Sequence, residues 1–208
     1  MSMLRTLVFI LCLFPILAYT APMRCVEHAF LKNGFSMNDY NQCRALMNKC
    51  PASGALPDIS CVDKVAAENK VCSQLHQLAQ VTNGVLDLIV IEKNDQLLLV
   101  DQHFPADGQQ HYYIISPKHC IVDTQIDPRD LSQALKNKYQ KMELMLVNWE
   151  KPVLQTHNDG SQTINSKLKV TDTCLACKIV GYAQLKFDFD KKGVLTKISL
   201  EKFSENND

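Results

Sequence analysis

Ile179-Val-Gly-Tyr-Ala-Gln-Leu-Lys-Phe-Asp-Phe-Asp-Lys-Lys-Gly-Val-Leu-Thr-Lys-Ile-Ser-Leu-Glu-Lys-Phe203 is the stretch that decides the fold. Ile179, Ala183, Leu185, Phe187 and Phe189 alternate with Tyr182, Gln184, Lys186 and Asp188. A period of two is the mark of a half-buried strand. Asp190-Lys-Lys-Gly193 then turns the chain into a second strand, Val194 to Phe203. A hairpin follows, with Gly193 at the position where a bulged turn needs positive φ. Asp188 and Asp190 begin like a calcium loop, but Lys192 replaces the third ligand and Ser199 the terminal Glu. The turn reading therefore stands.

Working outward, residues 85–208 carry a series of such signals. Val85 to Ile91, Leu97 to Phe104, Tyr112 to Ser116, Cys120 to Thr124, Met145 to Trp149, Val153 to His157 and Thr163 to Val170 read as strands. Asn94-Asp95, Asp107-Gly108, Pro117-Lys118 and Asn158-Asp-Gly160 separate them. One amphipathic helix is interposed. It opens at Asp127-Pro128 and carries Leu131, Leu135, Tyr139 and Met142 on one stripe.

Residues 22–84 read as helical. Ser36 or Asn38 caps a helix running to Cys50, and Pro51 and Gly54 stop it. A second helix from Asp58 or Ser60 is expected to run unbroken through Leu78, with Gly84 as its left-handed cap. The expected fold is thus α+β: a disulfide-pinned helical segment, then a curved antiparallel sheet packed on a helix, forming one continuous domain.

Residues 1–21 read as a signal peptide. Arg5 precedes the apolar run Leu7 to Ala18, and Ala18, Thr20 and Ala21 mark a cleavage region. The run is too short for a stable membrane span. The expected location is secreted or periplasmic, without stable membrane insertion. Lys plus Arg and Asp plus Glu are both 22, so no net field favours nucleic acid or a polyanion.

Nine cysteines are present, and Cys12 lies inside the apolar run. The remaining eight, Cys25, Cys43, Cys50, Cys61, Cys72, Cys120, Cys174 and Cys177, are the disulfide candidates. Nested bridges Cys50–Cys61 and Cys43–Cys72 would pin two antiparallel helices. Cys25 and Cys120 are then expected to cross to Cys174 and Cys177. The latter form a Cys-x-x-Cys followed by a strand, so no helix dipole lowers a thiol pKa, and the motif is expected to be structural and redox-inert.

No phosphate-cradling glycine loop, nucleophile elbow or metal-ligand spacing is present, so no cofactor, metal or catalytic residue is assigned. Trp149 is expected at the core edge, although with Tyr112, Tyr113 and Tyr182 it could also form a ligand surface. Two functions fit these observations. One is a disulfide-stabilised, non-enzymatic binding protein for a protein or small-molecule partner. The other is an exported hydrolase-type enzyme with a dispersed site, in which Asp101, His103 and His111 converge if His103 pairs opposite His111.

Overall fold

The computed structural model describes residues 25–54, 56–104, 109–117 and 119–206. The signal segment, the Asp107-Gly108 turn and Lys118 lie outside the described residues. The fold is mixed α+β, with two antiparallel sheets and four α-helices among the described residues.

The chain opens with β1 (Cys25–Glu27) and α1 (Met37–Met47). Ser36 caps α1, its Oγ accepting from the Asp39 amide at 3.1 Å, and Tyr40, Cys43 and Met47 face inward. A two-residue hairpin, β2 (Ala52–Ser53) with β3 (Leu56–Pro57), leads to α2 (Ile59–Glu68) and α3 (Ser73–Thr82). The single long helix expected here is therefore two. Asn69 between them is extended, and its Nδ2 donates to the Val65 carbonyl at 2.8 Å, competing with helix continuation. At the end of α3 it is Asn83, not Gly84, that takes the left-handed cap, at φ 52°.

The first sheet contains β4 (Ile89–Asn94), β5 (Leu97–Phe104), β6 (Gln109–Ser116) and β7 (Cys120–Asp123), in order β1-β7-β6-β5-β4. The second contains β8 (Leu144–Asn148), β9 (Val153–Thr156), β10 (Gln162–Asp172), β11 (Ile179–Phe189) and β12 (Leu195–Glu205). Its order is β12-β11-β10-β8, with β9 also pairing β10. Between β7 and β8 lies α4 (Gln133–Lys138), only six residues long. The expected helix from Asp127 is broken at Ser132, which is extended and caps a fresh start by accepting from the Leu135 amide.

The single sheet of the sequence reading is thus replaced by two sheets and two cores. In the first core, α1, α2 and α3 pack on one face of the first sheet through Ile89, Ile91, Val100, Tyr113 and Ile115. In the second, the opposite face of that sheet (Leu97, Leu99, Tyr112, Ile114) meets Leu168, Ala183, Leu185 and Phe187 of the second sheet. The first sheet is covered on both sides, and Leu97 to Val100 are all buried as a result. The second sheet keeps one polar face, so its strands alternate cleanly. Gly193 has φ 71° and sits against Pro117, where an added Cβ would lie 2.7 Å from the ring Cδ.

Four disulfides are present. Cys43–Cys72 and Cys50–Cys61 form the nested pair across the helices. The expected crossing of Cys25 and Cys120 to the last hairpin is not made. Cys25 and Cys120 lie on neighbouring strands, where Glu27 is the register partner of Cys120, and they bond to each other. Cys174 and Cys177 sit at the tip of the β10–β11 hairpin in the other sheet and also pair with each other. Four disulfides are compatible with an oxidising, extracellular or periplasmic compartment. Among the described residues no helix is long and apolar enough to cross a membrane.

Candidate functional site

The convergence of Asp101, His103 and His111 that the enzyme alternative requires does not occur. In the β5–β6 ladder Gln102 is opposite His111, and His103 is opposite Gln110. That one-residue difference from the register the enzyme alternative requires places the two imidazoles on opposite faces of the first sheet. His111 joins the helix-facing side, stacked on Tyr113 with ring centroids 4.4 Å apart, and its Nε2 lies 2.7 Å from Asp123 Oδ1. Among the described residues no group of three His, Cys, Asp or Glu side chains could hold a metal ion.

Asp101 and His103 do remain together on the face toward the second sheet, with His103 Nε2 3.3 Å from Asp101 Oδ2. Gln110 Nε2 reaches the same ring nitrogen at 3.4 Å, and the Tyr112 hydroxyl donates to Gln110 Oε1 at 2.8 Å. The Asp101 side chain is only 13 % exposed, and its Oδ1 is buried with no hydrogen-bond partner. Burial raises the pKa of its carboxyl above the ordinary value, and His103 partly opposes the shift. Burial, reinforced by the negative charge of Asp101, pushes the Tyr112 hydroxyl up to about 12, so it stays a neutral donor.

Next to Asp101 along the same face of β5 come Leu99 and Leu97. They floor a cleft of about 370 Å³ together with Leu154 of β9 and Ile164 of β10. Asn94, Pro152, Val153, Glu92 and Lys151 complete its lining. The Lys151 ammonium donates to both Glu92 carboxylate oxygens at 2.6 and 2.7 Å, tying β4 of the first sheet to the β8–β9 loop of the second. Both side chains are nearly half exposed, so the pair is screened and weak enough to open at little cost. The cleft therefore combines apolar lining residues with an exposed ion pair. Asp101, whose Oδ1 has no partner, follows Leu99 on the same face of β5 without lining the cleft. The size of the cleft is within the range of small-molecule sites.

A second surface lies on the outer face of the second sheet. Trp149 is 54 % exposed and meets Tyr182 edge-on at 5.4 Å, with the Lys169 ammonium 6.0 Å from the indole centroid. It does not occupy the expected core edge. Asn148 points inward, and its successor faces out by strand alternation. Tyr112 and Tyr113 are buried and take no part in that surface.

Sequence reading singled out Asp101 and His103 but missed the cleft. Glu92, Leu97, Leu99, Lys151, Val153 and Ile164 come from four separate segments, and no local pattern links them. No protein-family model matches the chain, and comparison with curated proteins and with solved structures yields no match.

Proposed function

We propose that this chain is an exported, disulfide-stabilised, non-enzymatic binding protein that holds a small amphiphilic ligand between its two sheets. The observation that carries the reading is the cleft lined by Leu97, Leu99, Leu154 and Ile164, with the exposed Lys151–Glu92 pair in its wall. A ligand's apolar body lies on Leu97, Leu99, Leu154 and Ile164 and displaces the ammonium of Lys151. Its head is cationic or a hydrogen-bond donor. Such a head satisfies Glu92, which loses Lys151, and is favoured by the negative charge of Asp101 beyond the lining on the same face of β5. An anionic head would meet two carboxylates and is disfavoured.

The test is calorimetric titration with n-decylammonium and, in parallel, n-decanoate. One saturable site for the ammonium, with at least tenfold weaker binding of the carboxylate, is the expected result. Val153 lines the cleft and is 62 % exposed, so Val153→Arg obstructs the site without disturbing the core. That variant should keep its circular dichroism and lose the binding. Equal binding of both amphiphiles, or binding that survives Val153→Arg, would overturn the proposal.

A further inference from the structure

The Cys174–Cys177 bridge differs from the other three in ways that bear on chemistry. Cys43 and Cys72 are wholly buried and Cys120 nearly so, whereas Cys25, Cys50 and Cys61 are partly covered. Cys174 is exposed, at the tip of the β10–β11 hairpin. The hairpin does not depend on the bridge. The ladder runs to Thr171 opposite Ile179, and the Asp172 amide donates to the Lys178 carbonyl at 3.0 Å, just below the loop. The Thr173 amide further anchors the loop to the Glu143 carbonyl at 2.8 Å. With a sequence separation of 3, the bridge closes the shortest loop of the four and so constrains the unfolded chain least. A bond so placed has little structural work to do.

From this geometry, and against the redox-inert expectation drawn from the sequence, we infer that Cys174–Cys177 is a stoichiometric thiol–disulfide exchange site for partners that carry paired thiols. A substrate thiolate attacks the exposed Cys174 Sγ. A substrate–Cys174 mixed disulfide forms, the Cys174–Cys177 bond breaks, and its electron pair leaves on Cys177 Sγ. The Thr173 hydroxyl donates to the Asp172 carbonyl at 2.8 Å and lies 3.6 Å from Cys177 Sγ, so rotation about its C–O bond turns its proton to that leaving sulfur. The cationic side chain of Lys178 is the neighbour of Cys177 in sequence. The helix dipole that such motifs ordinarily use is absent, and Thr173 takes its place. The second substrate thiolate then attacks the substrate sulfur of the mixed disulfide and releases Cys174 as a thiolate. The substrate is oxidised to a disulfide, and Cys174 and Cys177 take up its two electrons and two protons.

The oxidised full-length protein, under native conditions, is exposed to limiting dithiothreitol, quenched with iodoacetamide and mapped by peptide mass. Cys174 and Cys177 are expected to be labelled at least about tenfold faster than any other pair, since exchange follows access to a sulfur. Thr173→Val should slow that labelling about fivefold by removing one hydrogen bond to the leaving sulfur. In place of dithiothreitol, a synthetic peptide with two reduced cysteines should gain one disulfide per protein. The Cys174→Ser/Cys177→Ser variant should fold, judged by circular dichroism, and leave the peptide reduced. Opening of all four bridges together, prior opening of another bridge, or an unoxidised peptide would each overturn the assignment. So would a Thr173→Val variant that exchanges at the unaltered rate.

Discussion

Replacing Asp101 by Asn should stabilise this protein while weakening its ligand site. In the folded state Asp101 Oδ1 is buried without a partner, and an unmet buried acceptor costs about 1–3 kcal/mol. The contact of Oδ2 with His103 returns less than about 1 kcal/mol, because that ring is 44 % exposed and the interaction is screened. Asn keeps the shape and can turn its amide toward His103 Nε2. The carbonyl left at the Oδ1 position is still unpaired but uncharged, so the extra cost of burying a charge is what the substitution relieves. The expected gain at neutral pH is about 1 kcal/mol. Its pH dependence has a definite sign. Burial raises the folded-state pKa above the ordinary 3.8, so between those two values the native state binds more protons than the unfolded one. The stability that Asp101 contributes is complete below 3.8 and is lost as pH rises through the folded-state value. The advantage of Asp101→Asn should therefore be full at pH 7, shrink on acidification and vanish below 3.8. Urea unfolding of both proteins across this range isolates the effect, since other groups cancel in the difference. A variant less stable at pH 7 than the parent, or a difference independent of pH, would refute the reasoning. In the same variant, decylammonium affinity should fall at least tenfold.

Asn148 is the polar hub between the sheets, its Nδ2 donating to Thr124 Oγ1 and Ser166 Oγ, both at 3.1 Å, and its Oδ1 accepting from Gln125 at 3.0 Å. Asn148→Ala should cost at least about 3 kcal/mol, from three lost hydrogen bonds and a cavity, and a double-mutant cycle with Ser166→Ala should show about 1 kcal/mol of coupling in urea unfolding. The helical disulfide Cys43–Cys72 spans a sequence separation of 29, which corresponds to about 3.6 kcal/mol by loop entropy, against about 2 kcal/mol for the Cys174–Cys177 loop. Thermal unfolding of the two double Ser variants should rank them in that order, and a larger loss at Cys174/Cys177 would show that this bridge is structural.

What the sequence determined by itself was local. Alternation in Ile179 to Phe189, the turn at Gly193 and the Ser36 cap each depend on neighbours within a few residues, and each appears where the pattern places it. In β12 two register shifts against β11 interrupt the period. The nested helical bridges were legible because cysteine spacing on helices translates into faces and turns. Tertiary structure decided the rest. Whether Leu97 to Val100 is an ordinary strand or one buried on both faces depends on what covers it, and two remote layers do. The register of β5 on β6 settled the fate of His103 and His111, since a single residue of slip reverses a side chain's face. Which cysteine Cys25 meets was likewise a matter of strand order, because β1 lies beside β7 only after the sheet has assembled. The cleft exists solely because Glu92 on one sheet and Lys151 on the other stand across a gap between edges. That gap is set by how the two sheets stack, a relation no stretch of sequence encodes locally.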